Sequence, residues 1–455
     1  MDMDSVFFIA CFLPICLTLY WLIPGVRGKN TVLLLMSLLF YTFAGWSALA
    51  VLAVSCLVNF LLGLTLRGRH KKRFLTIGIA WNVLVLCLYK YLGLFGLQLG
   101  LMAPLGISFF TFKCISYLVD GYRDGENVTG SLPDFALYVC FFPQIAMGPI
   151  TRFSEFAPQL RQRQTSLQNT AEGLRRFVVG LGKKLVISAP LGAVVDRIFA
   201  QEVSALDARL AWLAALCYCL QLYFDFSGCI DMTIGLGKAF GFSTRENFNA
   251  PYTAVSVGDF WRRWHMSLSA WFKDYVYIPL GGNRLGKLRA GINKCIVFAL
   301  CGIWHGANWT FLLWGFWHGL FSLMESVNII PARKMAESRV GRILGRVYTL
   351  LVVCLGFVMF RAGSVAQGFA MLGVMFGGFG FAAQATVLLK SLLTGQVILM
   401  LVLGVLLSMP VGKYVMSRYG RVLEPVSYVL ALVLLVLCIV KLASGNFAPS
   451  IYAQF

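Results

Sequence analysis

Apolar runs follow one another almost from end to end of this chain: Ser5–Ile23, Thr31–Leu66, Phe74–Phe95, Ala211–Phe226, Val347–Phe360, Val397–Met409 and Val426–Val440. The longer ones approach the roughly 20 residues with which a helix crosses a hydrocarbon core. A sequence that is 59% hydrophobic and only 13% charged cannot hide that much apolar surface in water, where about a quarter of a typical domain is charged. The bilayer is its solvent. The spacing predicts an all-α polytopic membrane protein with about ten to twelve transmembrane helices. Thr151–Gly173, the longest hydrophilic stretch, is loop-sized, so residues 1–455 are expected to form a single membrane-embedded domain.

The formal net charge of +20 would suit a nucleic-acid partner, but its distribution argues against one. Basic residues gather in connectors between apolar runs: Arg27 and Lys29, Arg67–Arg73, Arg161–Arg176 and Pro331–Arg346. The positive-inside rule puts such connectors in the cytoplasm, which makes Thr31–Leu66 a hairpin turning near Gly45 with the N-terminus outside. Full crossings at both Leu105–Val119 and Phe135–Ile150 would then place Arg161–Arg176 on the wrong side. At least one of the two is expected to be re-entrant or broken, at Gly106 or at Pro143 with Gly148 and Pro149. Ser5–Ile23 has acidic Asp2 and Asp4 before it and no small-residue cleavage site after it, so it reads as a first crossing rather than a signal peptide. The 13 cysteines show no C-x-x-C pair and no spacing to histidine that suits zinc, so no metal site is expected.

Polar residues inside apolar runs mark sites or pathways. Asp225 and Asp231 in LQLYFDFSGCIDMTIG are about 240° apart on a helix and share one site only if the chain breaks near Ser227 and Gly228. Asp225 either contacts substrate, caps a half-helix or pairs with a nearby arginine. In DFWRRWHMSLSAWFKDYVYIPLGGNR, Trp261, Trp264, His265, Leu268, Trp271, Phe272 and Tyr275 share one helical face while Arg262, Arg263, Ser269 and Lys273 share the other. This predicts an amphipathic interfacial helix N-capped by Asp259. In IWHGANWTFLLWGFWHG, His305 follows an apolar run with Trp304 before it and Asn308 at i+3. His318 is rotated about 220° from His305, so one straight helix cannot point both into one site. His318, a turn or two before Glu325 and near a segment end, is expected to be structural or interfacial. Lys113, Gln144 and Arg152 interrupt aromatic runs and either bind an anion or snorkel.

The segments GISFFTFKCISYLVDGYR, FFPQIAMGPITRF, LYFDFSGCIDMTIG, FWRRWHMSLSAWFKDYVYIPLGGNR and WHGANWTFLLWGFWHG, in this order over residues 106–319, resemble the membrane-bound O-acyltransferase family. The likeness is strongest to its bacterial branch that contains the membrane subunit of alginate O-acetylation. The resemblance implies re-entrant and interfacial helices around a central acyl-transfer tunnel, an essential histidine at His305 and a second polar position at His265. It also implies a cytoplasmic thioester donor, and YIPLGGNR favours acetyl, hence acetyl-CoA, with no bound cofactor. Moving acyl from a thioester to a hydroxyl needs a base, a stabiliser for the oxyanion and exclusion of water. His305 meets the first and last needs. Asp225, Ser227, Trp304 and Asn308 are the candidate substrate contacts. Arg262 and Arg263, with Arg284 and Lys287, are the cations available for the donor's phosphates. The expected setting is a bacterial inner membrane, with an exported polysaccharide or cell-wall glycan reached through a periplasmic or membrane-anchored partner. Transfer of D-alanyl, a membrane transporter and a non-catalytic scaffold are the competing readings.

Overall fold

The structure is a computed structural model that describes residues 1–92 and 102–445; the end of the Phe74–Phe95 run lies outside the described residues. The described residues are helical, with no β-strand. Six of their helices are long and apolar enough to cross a membrane, or seven if Ala383–Leu392 and Gly395–Ser408, bent by 71° at their junction, count as one span. Phe8–Leu22 and Val365–Gly377 are apolar but shorter. The chain is a multi-pass membrane protein.

Two compact units make up the chain. The first takes Met1–Leu181, Cys229–Glu246 and the segment beginning at Leu435; the second takes Gly182–Gly228 and Asn247–Leu434. In the first unit, Thr31–Leu66 forms the expected hairpin, with helices Val26–Thr42 and Trp46–Thr65 joined at Gly45, whose φ is +105°. Helix α1 (Ile107–Arg123) starts at Gly106, and helix α2 (Leu132–Cys140) stops inside the Phe135–Ile150 run. One turn, Phe142–Ile145, follows, and the chain has no regular helix from Gly148 to Arg152. Phe135–Ile150 is the broken segment that the charge pattern required. Gly106 is essential to it: φ is +68°, and a Cβ there would lie 1.9 Å from the Ile145 carbonyl oxygen. Lys113 on α1 neither snorkels nor faces water. It is buried and donates to the Tyr138 carbonyl at 3.0 Å and to Gln144 Oε1 at 3.2 Å.

Helix α3 (Ala208–Ala239) runs without interruption through Asp225, Ser227, Gly228 and Asp231. The break expected at Gly228 is absent, because a single glycine costs a helix only about 1 kcal/mol and no cap or proline accompanies it. The apolar stretch of α3 is 89% buried, against 6% for Val422–Ala443, so the side chains of α3 are core while those of Val422–Ala443 are mostly left uncovered by the protein. The second unit continues with the short helices α4 (Val257–Trp261) and α5 (Met266–Phe272). It then forms α6 (Gly286–His305), α7 (Trp309–Ser326) and α8 (Arg339–Arg361).

Candidate active site

Helices α6 and α7 form an antiparallel hairpin whose turn is built by the residues after His305. Gly306 is extended, and Asn308 caps α7 by accepting from the Thr310 N–H at 3.1 Å while its amide donates to the Gly363 carbonyl at 3.2 Å. Asn308 is thus committed to holding the turn. Glycines let the two backbones touch: a Cβ at Gly302 would lie 2.4 Å from the Phe311 carbonyl oxygen, and one at Gly315 would lie 2.3 Å from that of Phe298. Small residues at such contacts are the usual means of close helix approach in membranes. The consequence is chemical. His305, the last residue of α6, and His318, on α7, meet opposite ends of one sequence motif at the same indole, Trp314, with ring centroids 5.2 and 5.3 Å away. The rotation that separates them on a straight helix does not apply to a hairpin.

The expected interfacial helix is two helices. Ser256, not Asp259, caps α4, accepting from the Asp259 N–H at 3.0 Å; the Asp259 carboxylate instead pairs with Arg262 at 3.3 Å and Arg263 at 3.1 Å. Glu325 of α7 adds a second cap, accepting from the N–H groups of Val257 and Gly258 at 2.7 and 2.9 Å. The chain then turns at Arg262–His265, and His265 takes the left-handed conformation, φ 44° and ψ 54°. Such backbone is uncommon for a residue with a Cβ and persists only where the surroundings enforce it. Asn247 and Asn249 do so. The Asn249 N–H donates to the Arg263 carbonyl at 2.9 Å, the Met266 N–H to the Asn247 carbonyl at 3.0 Å, and the Ser267 N–H to Asn247 Oδ1 at 2.8 Å. Despite the break, the aromatic face survives: Trp264, His265, Leu268, Trp271 and Phe272 are buried and Arg262 and Lys273 are exposed.

The turn aims the His265 ring inward, 4.7 Å from Phe226 of α3 and 6.2 Å from Trp304. Trp304 is in turn 4.9 Å from the His305 ring. His265, Trp304, His305, Trp314 and His318 therefore form one buried aromatic succession, with Phe360 of α8 5.1 Å from His305 and Trp261 5.1 Å from His318. Burial alone lowers the pKa of His265, to about 3, so its ring is neutral at physiological pH. Its Nε2 has no hydrogen-bond partner among the described residues.

Asp225 pairs with Lys184 at 3.3 Å, both nearly inaccessible. Asp231 pairs with Arg176 at 2.7 Å, and that guanidinium also reaches Glu246 at 2.6 Å. The Ser227 hydroxyl is buried and has no hydrogen-bond partner among the described residues. Arg262, Arg284 and Lys287 are exposed and Arg263 is partly so. Asn247 was missed by sequence reasoning. ENFNAP carries no spacing that links it to a histidine eighteen positions on, and only the fold joins them. Among the described residues, no group of three or more His, Cys, Asp or Glu is placed to hold a metal ion.

A many-helix membrane protein with a buried histidine and aromatic centre defines a class that can do acyl chemistry away from water. Residues 38–366 match the model of MBOAT, the membrane-bound O-acyltransferase family. The chain belongs to that family and is an acyltransferase. It is 40% identical over 430 residues to the probable alginate O-acetylase AlgI of Pseudomonas aeruginosa, a match covering 89% of this chain and 80% of that one. The corresponding figures for the probable alginate O-acetylase AlgI of Azotobacter vinelandii are 39% over 396 residues, 83% and 78%. A peptidoglycan O-acetyltransferase of Helicobacter pylori is 35% identical over 417 residues, covering 81% of this chain and 79% of the relative.

Proposed function

We propose that this enzyme moves an acetyl group from cytoplasmic acetyl-CoA across a bacterial inner membrane for O-acetylation of an exported polysaccharide or cell-wall glycan. The observation that carries the reading is the pairing of His305 and His265 about one indole, Trp304, inside a buried aromatic enclosure. His305 takes the proton of the attacking hydroxyl as the oxygen–carbon bond forms. It returns that proton to the thiolate as the carbon–sulfur bond breaks, so CoA leaves as the thiol. The enclosing Trp304, Trp314 and Phe360 exclude the water that would hydrolyse the thioester. Exposed Arg262 and partly exposed Arg263 offer charge to the donor's phosphates at the cytoplasmic surface. The whole of residues 1–455 acts as one acyltransferase domain, with the acyl group passing through a central tunnel. The names of the relatives support a polymer acceptor.

The connectors between the apolar helices are short beside the few hundred cubic ångströms that a ligand groove occupies. A periplasmic or membrane-anchored partner with a nucleophilic hydroxyl therefore takes the acetyl group at the outer surface and hands it to the sugar. The test is reconstitution in vesicles with acetyl-CoA on the side of Arg262 and polysaccharide with the partner on the other. Thiol release coupled to acetylation across the bilayer is the expected result. Absence of thiol release with all components present would overturn the reading, and polymer acetylated without a second protein would remove the partner. Turnover of a D-alanyl thioester in place of acetyl-CoA would change the donor.

A further inference from the structure

We infer that Asn247 is a positioning residue that holds His265 in the tautomer with its proton on Nε2, making His265 a neutral donor to the thioester carbonyl oxygen rather than a second base. The inference rests on the acetyl-transfer reading above. It begins with the orientation of the Asn247 amide, which its neighbours fix. A backbone N–H donates, so the amide atom 2.8 Å from the Ser267 nitrogen is the oxygen. The other amide atom is then the NH2 group, which lies 3.3 Å from His265 Nδ1. An NH2 group only donates, so Nδ1 accepts and the ring proton of neutral His265 sits on Nε2. The amide oxygen also lies 3.4 Å from Nδ1, but that is the longer contact and its oxygen is already engaged by Ser267.

Three further observations give the arrangement a purpose. Asn247 and His265 are 0% and 2% exposed, so water does not compete for the pair. The left-handed backbone at His265 is enforced by Asn247 itself, which binds Met266 and Ser267 on its far side. And Nε2, the nitrogen left over, has no partner among the described residues, whereas buried donors ordinarily find one. Its ring stands beside Trp304, which adjoins the base His305. As hydroxyl oxygen adds to the thioester carbon, negative charge gathers on the carbonyl oxygen. His265 Nε2–H stabilises that charge while His305 carries the hydroxyl proton; the oxygen's electron pair then re-forms the carbonyl as the C–S pair leaves on sulfur, which takes the proton from His305. A donor fixed in advance costs no reorganisation at that moment.

The tautomer is read directly by nitrogen NMR of the enzyme labelled at histidine in lipid bilayers, with the His265 signal assigned by its loss in H265Q. Wild type should show protonated Nε2 and bare Nδ1; a proton on Nδ1 overturns the proposal without touching the acetyl-transfer reading. In kinetics, N247D keeps an oxygen for the Ser267 N–H but accepts from Nδ1–H, moving the proton off Nε2. Its kcat should fall about 10²–10³-fold, the cost of one lost oxyanion donor, with KM for acetyl-CoA nearly unchanged. H265Q, whose amide N–H stands near the position of Nε2–H, should keep part of the wild-type kcat, and adding N247D to it should cost less than about threefold, because Asn247 acts through the His265 ring and effects so coupled do not add. If N247D retains wild-type kcat, or costs as much on H265Q as on wild type, Asn247 is only a fastener of the turn. A wild-type enzyme that transfers no acetyl group at all fails the parent reading instead.

Discussion

A charge buried in the core of a membrane protein must be answered by another, and Asp225 on the buried helix α3 is answered by Lys184. Removing one member of such a pair leaves the other uncompensated, which costs about 3–5 kcal/mol. Asp225→Ala is therefore expected to lower the apparent melting temperature in detergent sharply and to reduce the yield of inserted protein. Replacing both members by apolar residues of similar volume should restore much of the loss. A contact with substrate would behave otherwise: Asp225→Asn would raise KM for donor or acceptor at unchanged melting temperature. The sequence made Asp225 conspicuous but not its partner, since 41 positions separate it from Lys184 and no local spacing couples them. His265 shows the same limit. Its residue type and aromatic neighbours pointed to it, whereas the left-handed turn and the amide behind it arise from Asn247, on another segment.

At the scale of elements, the two glycine-containing interruptions FSGC and WHGAN look alike on the page and fold differently. Gly228 has neither a cap nor a proline beside it, and one glycine costs a buried helix only about 1 kcal/mol, so α3 passes through it. Gly306 is followed by Asn308, whose side chain accepts from the Thr310 N–H of the next helix, so the chain reverses there. Read from the sequence only as a polar neighbour of His305 and a candidate substrate contact, Asn308 is the cap at the reversal that brings His305 and His318 to Trp314. The reversal further depends on Gly315 at the contact with Phe298. Gly315→Val should push the helices apart and cost about 1–3 kcal/mol or more through overpacking, with loss of activity because His305 sits at the end of the same hairpin. Gly373, with nothing within 4 Å of its would-be Cβ, supplies the control: Gly373→Ala should leave both melting temperature and turnover near wild type. Equal tolerance at the two positions would show that the hairpin contact does not hold the site.

Across the whole molecule, apolar runs declared a helical membrane protein, and the charge pattern required a break in Leu105–Val119 or Phe135–Ile150 without choosing between them; the helix stops in the second. Burial sorted what hydropathy could not: α3 and Val422–Ala443 are both apolar, yet one is core and the other is mostly uncovered. Under the positive-inside rule the basic connectors put the Arg262–Arg263 surface on the side of the proposed donor. Arg262→Ala with Arg263→Ala should raise the apparent KM for acetyl-CoA several-fold before it lowers the maximal rate, because charge there assists binding rather than bond making. Cysteine labelling that found this segment outside the cell would contradict the assignment.

The central claim is that His305, set among Trp304, Trp314 and Phe360, is the base of the transfer. Its most direct test is the rate of acetyl transfer by purified His305→Ala enzyme whose insertion and melting temperature match wild type. Removing a general base costs about 10²–10⁴ in rate, so transfer should drop at least a hundredfold with the protein otherwise intact. Transfer above a tenth of the wild-type rate would contradict the claim and leave His305 as one more buried ring in the aromatic core.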